Sequence, residues 1–105
     1  MSVHFFVRFE PLPGSELAFR EEVLRVIEPS RAEAGCLAIH VYESLHEPFL
    51  FAIHSEWQDE AAFDRHAQLP HTLKFVAAAE TLLSHPISGL RMQEIGGGAG
   101  AAVTG

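Results

Sequence analysis

Seven histidines equal the combined count of lysine and arginine in this chain. Imidazole, with an unperturbed pKa of about 6.5, is the side chain best suited to moving protons near neutrality. The most specific arrangement lies in two apolar runs, Cys36 to Glu43 and Phe49 to Trp57. A hairpin centred near Glu47 makes Tyr42 face Ala52 and His40 face His54. A slip of one residue breaks that pairing. Two facing imidazoles can share a proton or hold one side of a metal ion, and His4 becomes a third ligand only if the first strand lies beside the third. No closely spaced ligand motif accompanies them, so no metal is expected.

The remaining candidates read in two ways. His66 and His71 flank Pro70. On one continuous helix their offset would spread them around the axis, and the proline break leaves their relative direction open. His66 either lines a cavity or serves in packing at a helix end. His46, in the hairpin loop, and His85, before Pro86, read as exposed surface. Trp57 is either core or a flat platform for a planar ring. Cys36, directly after Gly35, reads as a small buried hydrophobe with no visible activating partner. Glu56 and Arg91 are outward charges or groups that orient a ligand at a cavity mouth.

The elements that must position these groups follow from the punctuation at Pro13-Gly14, Gly35, His46 to Pro48, Pro70 and Pro86. Val3 to Glu10 is a strand, and Ser15 caps a helix whose apolar arc is Leu17, Phe19, Val23, Leu24, Val26 and Ile27. Pro29 is expected to end or kink it, and Gly35 to stop the turn that follows. Cys36 to Glu43 and Phe49 to Trp57 are the second and third strands. Asp59 caps a helical region broken at Pro70 into Glu60 to Gln68 and His71 to Ser84, the latter burying Phe75, Val76, Ala79, Leu82 and Leu83. Ile87 to Ile95 is the fourth strand. The order β-α-β-β-α-β points to an α+β, ferredoxin-like split sheet with its helices on one face.

The chain has 105 residues, enough for one domain over residues 1–95 followed by a Gly/Ala-rich flexible tail over 96–105. Fourteen acidic residues against seven basic ones give a net charge of -7, which supplies phosphate neutralisation poorly and argues against a nucleic-acid partner. No run of about 18 apolar residues is present and the start lacks a signal-peptide pattern, so no membrane partner is expected. One cysteine suits a reducing, cytoplasmic location. Both faces of the sheet carry apolar residues: Val3, Phe5, Val7 and Phe9 against Phe6 in the first strand, and Phe51, Ile53 and Trp57 against Leu50 and Ala52 in the third. An uncovered face would expose several hundred Å² of apolar surface, so a second copy should cover it, forming a dimeric α/β barrel with room for an apolar ligand.

The run Arg31-Ala-Glu-Ala-Gly-Cys-Leu, the tract Phe51-Ala-Ile-His-Ser-Glu-Trp-Gln-Asp59, and His66 followed by Pro70-His71 together resemble the antibiotic biosynthesis monooxygenase family, over about residues 3–95. The resemblance implies a homodimeric barrel that oxidises a small phenolic, hydroquinone or anthrone-like substrate with O2 and uses no metal, flavin or haem. It also implies that Trp57 lies in the ligand cavity and that His66 matches a recurrent helix histidine. Related haem-degrading enzymes carry an Asn on strand one where Val7 stands here, which disfavours haem degradation. The expected assignment is therefore His66 as the leading base, His54 as the second candidate, and Trp57, Phe51 and Ile53 as substrate-binding residues. The rival expectation is a non-catalytic dimeric barrel that binds a small aromatic metabolite.

Overall fold

The computed structural model describes residues 1–102. Four strands, β1 (Val3–Phe9), β2 (Cys36–Glu43), β3 (Phe51–Trp57) and β4 (Ser88–Met92), form one antiparallel sheet in the order β2-β3-β1-β4. Three helices, α1 (Glu16–Arg31), α2 (Glu60–His66) and α3 (Pro70–Glu80), complete the elements of the described residues. This is a ferredoxin-like α+β fold, with the second helical region in two pieces. No helix among the described residues is long and apolar enough to cross a membrane.

The period of two along each strand decides which residues meet the helices. Phe5 and Phe9 of β1, and Phe51 and Trp57 of β3, are buried beneath them. Phe9, Phe19, Val23, Val26, Phe51, Phe75 and Ala79 make the main core. A smaller cluster of Phe5, Trp57 and Ala62 lies near α2. Burying one such aromatic or aliphatic side chain contributes about 1.5–3 kcal/mol.

The hairpin register agrees with the expectation: Tyr42 faces Ala52 and His40 faces His54. Strand β3 begins at Phe51 rather than Phe49. The reason is local, because Ser44 closes the loop with its N–H donating to Leu50 O at 2.8 Å and its Oγ accepting from Leu50 N–H at 2.9 Å. Strand β4 is shorter than Ile87 to Ile95, since its register runs only from His4↔Met92 to Arg8↔Ser88 and β1 offers little edge beyond that.

Helix α1 passes through Pro29 and ends two residues later at Arg31, so Pro29 does not itself stop it. A proline in the last turn removes only one bond, and Ser30 Oγ donates to Val26 O at 2.7 Å while Ala32 N–H donates to Glu28 O at 3.2 Å. Its buried stripe is also narrower than the predicted arc. Phe19, Val23, Val26 and Ser30 are buried at three- and four-residue steps, whereas Leu17 and Leu24 are exposed. In α3 the stripe is Thr72, Phe75 and Ala79. The helix ends at Glu80, and Leu82 and Leu83 pack against the main core from beyond it.

Residues 96–102 are exposed and form no helix or strand; the rest of the predicted tail, 103–105, lies outside the described residues. Cutting the chain after Ile95 is expected to change Tm by less than about 3 °C, because exposed segments without packing partners contribute little. Differential scanning calorimetry checks this. A larger loss would mean that the tail docks.

Candidate active site

Two groups of chemistry-bearing side chains emerge, on opposite faces of the sheet. The first is built where the end of α1, α2 and α3 meet. Gly35 adopts φ +90°, and a Cβ there would lie 2.7 Å from the Ala62 Cβ, so only glycine lets the start of β2 approach α2 so closely. Its carbonyl accepts from Gln58 N–H at 2.9 Å, tying that turn to the end of β3. Asp59 starts α2 by accepting from Ala62 N–H at 2.8 Å. His66 is the last residue of α2, and Leu69 is extended, as a residue before proline prefers. Pro70 then opens α3, so His71 returns toward His66 on a new helix axis.

Both imidazoles converge on one carboxylate. Glu33 Oε2 lies 2.7 Å from His66 Nδ1 and 2.6 Å from His71 Nε2. A carboxylate only accepts hydrogen bonds, so these two ring nitrogens are the donors. In neutral His66 the free lone pair is then on Nε2. Thr72 Oγ1 stands 3.3 Å from His66 Nδ1. This is the carboxylate-imidazole arrangement that fixes a tautomer and stabilises an imidazolium when the ring takes a proton.

The His66 ring packs against Trp57, with ring centroids 4.7 Å apart. Trp57 has 0% exposure, and its Nε1 has no hydrogen-bond partner among the described residues. Phe63 meets Trp57 edge-on at 5.9 Å and stacks on Phe5 at 3.5 Å with 9° between the planes. Over the outside of that pair lies the Arg91 guanidinium, 5.2 Å from the Phe5 ring and 5.4 Å from Phe63. Arg91 also donates to Glu60 at 3.1 Å and to Asp64 at 3.0 Å, holding α2 to the edge strand. Near Glu33, burial and then the Glu33 charge push the Cys36 thiol up, which suits a packed thiol rather than a nucleophile.

The second group occupies the sheet face away from the helices. Its rows, read across β2, β3, β1 and β4, are Tyr42-Ala52-Arg8-Ser88 and His40-His54-Phe6-Leu90. Small Ala52 and Ser88 flank Arg8, leaving a depression of about 650 Å³ lined by Phe6, Arg8, Tyr42, His54, Ser88 and Leu90 among others. His4 Nδ1 lies 2.9 Å from His54 Nε2, and Phe6 stacks on His54 at 4.6 Å. Burial, and after it the charges of His4 and His40, lower the pKa of His54 against the opposing pull of Glu56.

The sign of that shift gives a pH prediction. The folded chain favours neutral His54, so its contribution is complete above about pH 6.5 and is lost as pH falls through the lower folded value. Thermal melts of wild type and His54→Gln between pH 7.5 and 4.5 check this, with the variant expected to lose less stability over the acidic part. Parallel curves would contradict it. His4 on β1, His40 on β2 and Glu56 on β3 are the ionisable side chains beside His54, so the difference between the two proteins is the quantity to read.

The expected site residues therefore separate. His66 and Trp57 meet, whereas His54 lies across the sheet from both. Phe51 sits in the main core, in contact with Phe19 at a centroid distance of 5.1 Å. Ile53 packs against that core and contributes to the lining of the depression on the other face. Glu33 and Phe63 were not singled out by sequence. The available signal for Glu33 was its place two residues before a glycine in a turn, and for Phe63 an aromatic one helical turn before His66.

A family model for antibiotic biosynthesis monooxygenases matches residues 2–78, from the start of β1 into α3. Among curated relatives, Rv0793 of Mycobacterium tuberculosis is 33% identical over 86 residues, covering 82% of this chain and 84% of that protein. YcnE of Bacillus subtilis is 31% identical over 88 residues, covering 84% and 90%. The names of both carry a provisional monooxygenase assignment. The protein sll1783 of Synechocystis is 40% identical over 60 residues, and the matched part spans only 41% of its length. The solved structure of Rv0793 superimposes with a TM-score of 0.86 at 27% identity, covering 94% of this chain and 100% of that one. That of PA3566 from Pseudomonas aeruginosa gives 0.84 at 29% identity, covering 90% and 95%. The match of fold, of sequence and of the region holding Trp57 and His66 establishes that this chain belongs to the antibiotic biosynthesis monooxygenase family.

Proposed function

We propose that this protein is a monooxygenase that oxidises a small phenol, hydroquinone or anthrone-like aromatic with O2, drawing the electrons from the substrate itself. The observation that carries this reading is the Glu33-His66 pair packed on buried Trp57. His66 Nε2 accepts the substrate proton, and Glu33 holds the ring and balances the imidazolium. The substrate anion passes one electron to O2, and the radical pair recombines as a peroxide. Loss of water then leaves one oxygen atom on the product. For an anthrone methylene the balance is CH2 plus O2 giving C=O plus H2O, and for a hydroquinone it gives a hydroxyquinone plus H2O. All four electrons come from the substrate, so no outside reductant enters.

A flat substrate ring takes the place of Phe63 against Phe5, where two aromatic planes already stack. The unpartnered Trp57 Nε1 is a donor available to a substrate oxygen. Opening this slot requires α2 to move, and α2 has seven residues held to β4 through Arg91. The open sheet face supports a homodimer, since Phe6 is 45% exposed, Leu90 62% and Met92 47% on a surface with little charge beyond Arg8, Glu56 and the histidines. Labelling with 18O2 tests the reaction. One labelled atom in the product supports monooxygenation, and none contradicts it.

The alternative is a non-catalytic dimer that binds an aromatic metabolite. It is favoured by the depression on the open face, whose volume suits a small ligand and which lies away from His66. Such a protein would bind hydroquinones without consuming oxygen.

A further inference from the structure

We propose that Glu33, His66 and His71 form a binding site for a divalent transition ion of the zinc type, and that filling it switches the His66 base off. The ligand atoms of the three residues lie within 4.8 Å of one another. They come from three separate elements: the turn after α1, the end of α2 and the start of α3. Two imidazoles and one carboxylate suit Zn2+ or Co2+, whereas Ca2+ and Mg2+ take oxygen ligands. The side chains are largely but not wholly enclosed, at 12% exposure for His66, 27% for His71 and 9% for Glu33, which leaves a way in past His71.

Tetrahedral ligands at normal zinc distances stand roughly 3.3 Å apart. The present contacts of 2.7 Å and 2.6 Å must therefore open by about 0.6–0.7 Å. The two helix ends that carry the histidines are joined only through Ala67 to Leu69, so the change is small and local. One carboxylate and two neutral rings leave the ion with one net positive charge, which the chain's charge of -7 favours. Water fills the open position, as in three-ligand zinc sites.

The switch follows from the tautomer. With Nδ1 of His66 on the ion, the neutral ring carries its proton on Nε2, the atom that otherwise accepts the substrate proton. Ion binding itself rests on geometry alone. Only the switch rests on His66 being the base.

The test uses the full chain stripped with a chelator, titrated with Co2+ and followed by visible absorption and by Tm. One equivalent should bind with a tetrahedral Co2+ spectrum, and Zn2+ in about hundredfold excess over its Kd should raise Tm by about 10 °C. His71→Gln keeps an N–H to donate to Glu33 but loses a metal ligand, so it should fold normally and bind roughly 100-fold more weakly. No binding at about 100 µM Co2+ would overturn the site and leave the trio a hydrogen-bonded clamp. Unchanged binding in His71→Gln would overturn it too, by placing the ion elsewhere, for example at His4 and His54. Oxygen uptake in wild type should fall in proportion to Zn2+ occupancy, and full uptake at saturation would overturn the switch. Absence of any oxygen uptake would count against the oxygenase reading while the Co2+ result still decides the site.

Discussion

His66→Ala is expected to lower turnover by about 100-fold to 10,000-fold while leaving substrate affinity nearly unchanged, because it removes a proton acceptor and little stacking area. Steady-state oxygen uptake and a separate fluorescence titration give the two numbers. His66→Gln is the companion variant, since it keeps a donor toward Glu33 and lacks the basic lone pair. Both variants should fall together. Equal turnover in wild type and His66→Gln, with the fold intact, would remove His66 from the mechanism and move attention to His54. Trp57→Ala is a poor probe by comparison, because emptying a fully buried indole site costs about 3–5 kcal/mol of stability.

The second large effect concerns the open sheet face. If the open face is the proposed homodimer interface, Phe6→Asp should leave monomer or unfolded chain at micromolar concentration. Two-fold symmetry of that proposed dimer puts the substitution on both copies, and each carboxylate replaces an apolar ring seated between His54 and Leu90. Loss of a central aromatic contact costs about 2 kcal/mol or more per copy before the charge is counted. Sedimentation velocity of wild type and variant decides this. A folded wild-type monomer at micromolar concentration would contradict the dimer outright.

Much of the fold was legible because its determinants are local. The loop from Ser44 to Leu50 is short, so the pairing of His40 with His54 followed from counting along the hairpin. Asp59 stood where a helix cap must stand, and it caps. The failures are also physical. The apolar arc expected for α1 includes Leu17 and Leu24, but a helix lying on a sheet buries a stripe, and both leucines fall beside it. Pro29 broke nothing because it lies in the last turn, where few backbone bonds depend on it.

The site was half legible for a different reason. Trp57 and His66 are nine positions apart, and α2 brings their rings together as a consequence of its cap and length. The direction of His71 depended on the corner at Leu69-Pro70, which residue types alone leave open. Glu33 meets His66 across 33 positions of sequence, a contact set by the tertiary approach of Gly35 to Ala62. Grouping His54 with Trp57, Phe51 and Ile53 ran against strand parity, which sets His54 on the opposite face, and the burial pattern shows which face the helices cover.

The most direct measurement of the central claim is oxygen consumption by chelator-treated protein with a panel of hydroquinones and anthrones under air, with substrate autoxidation subtracted. Uptake of one O2 per product molecule is expected, well above the blank for at least one substrate class and lost in His66→Gln. Uptake no greater than the blank for every substrate, from protein that nonetheless binds them, would contradict it and leave the aromatic-binding barrel as the function of this chain.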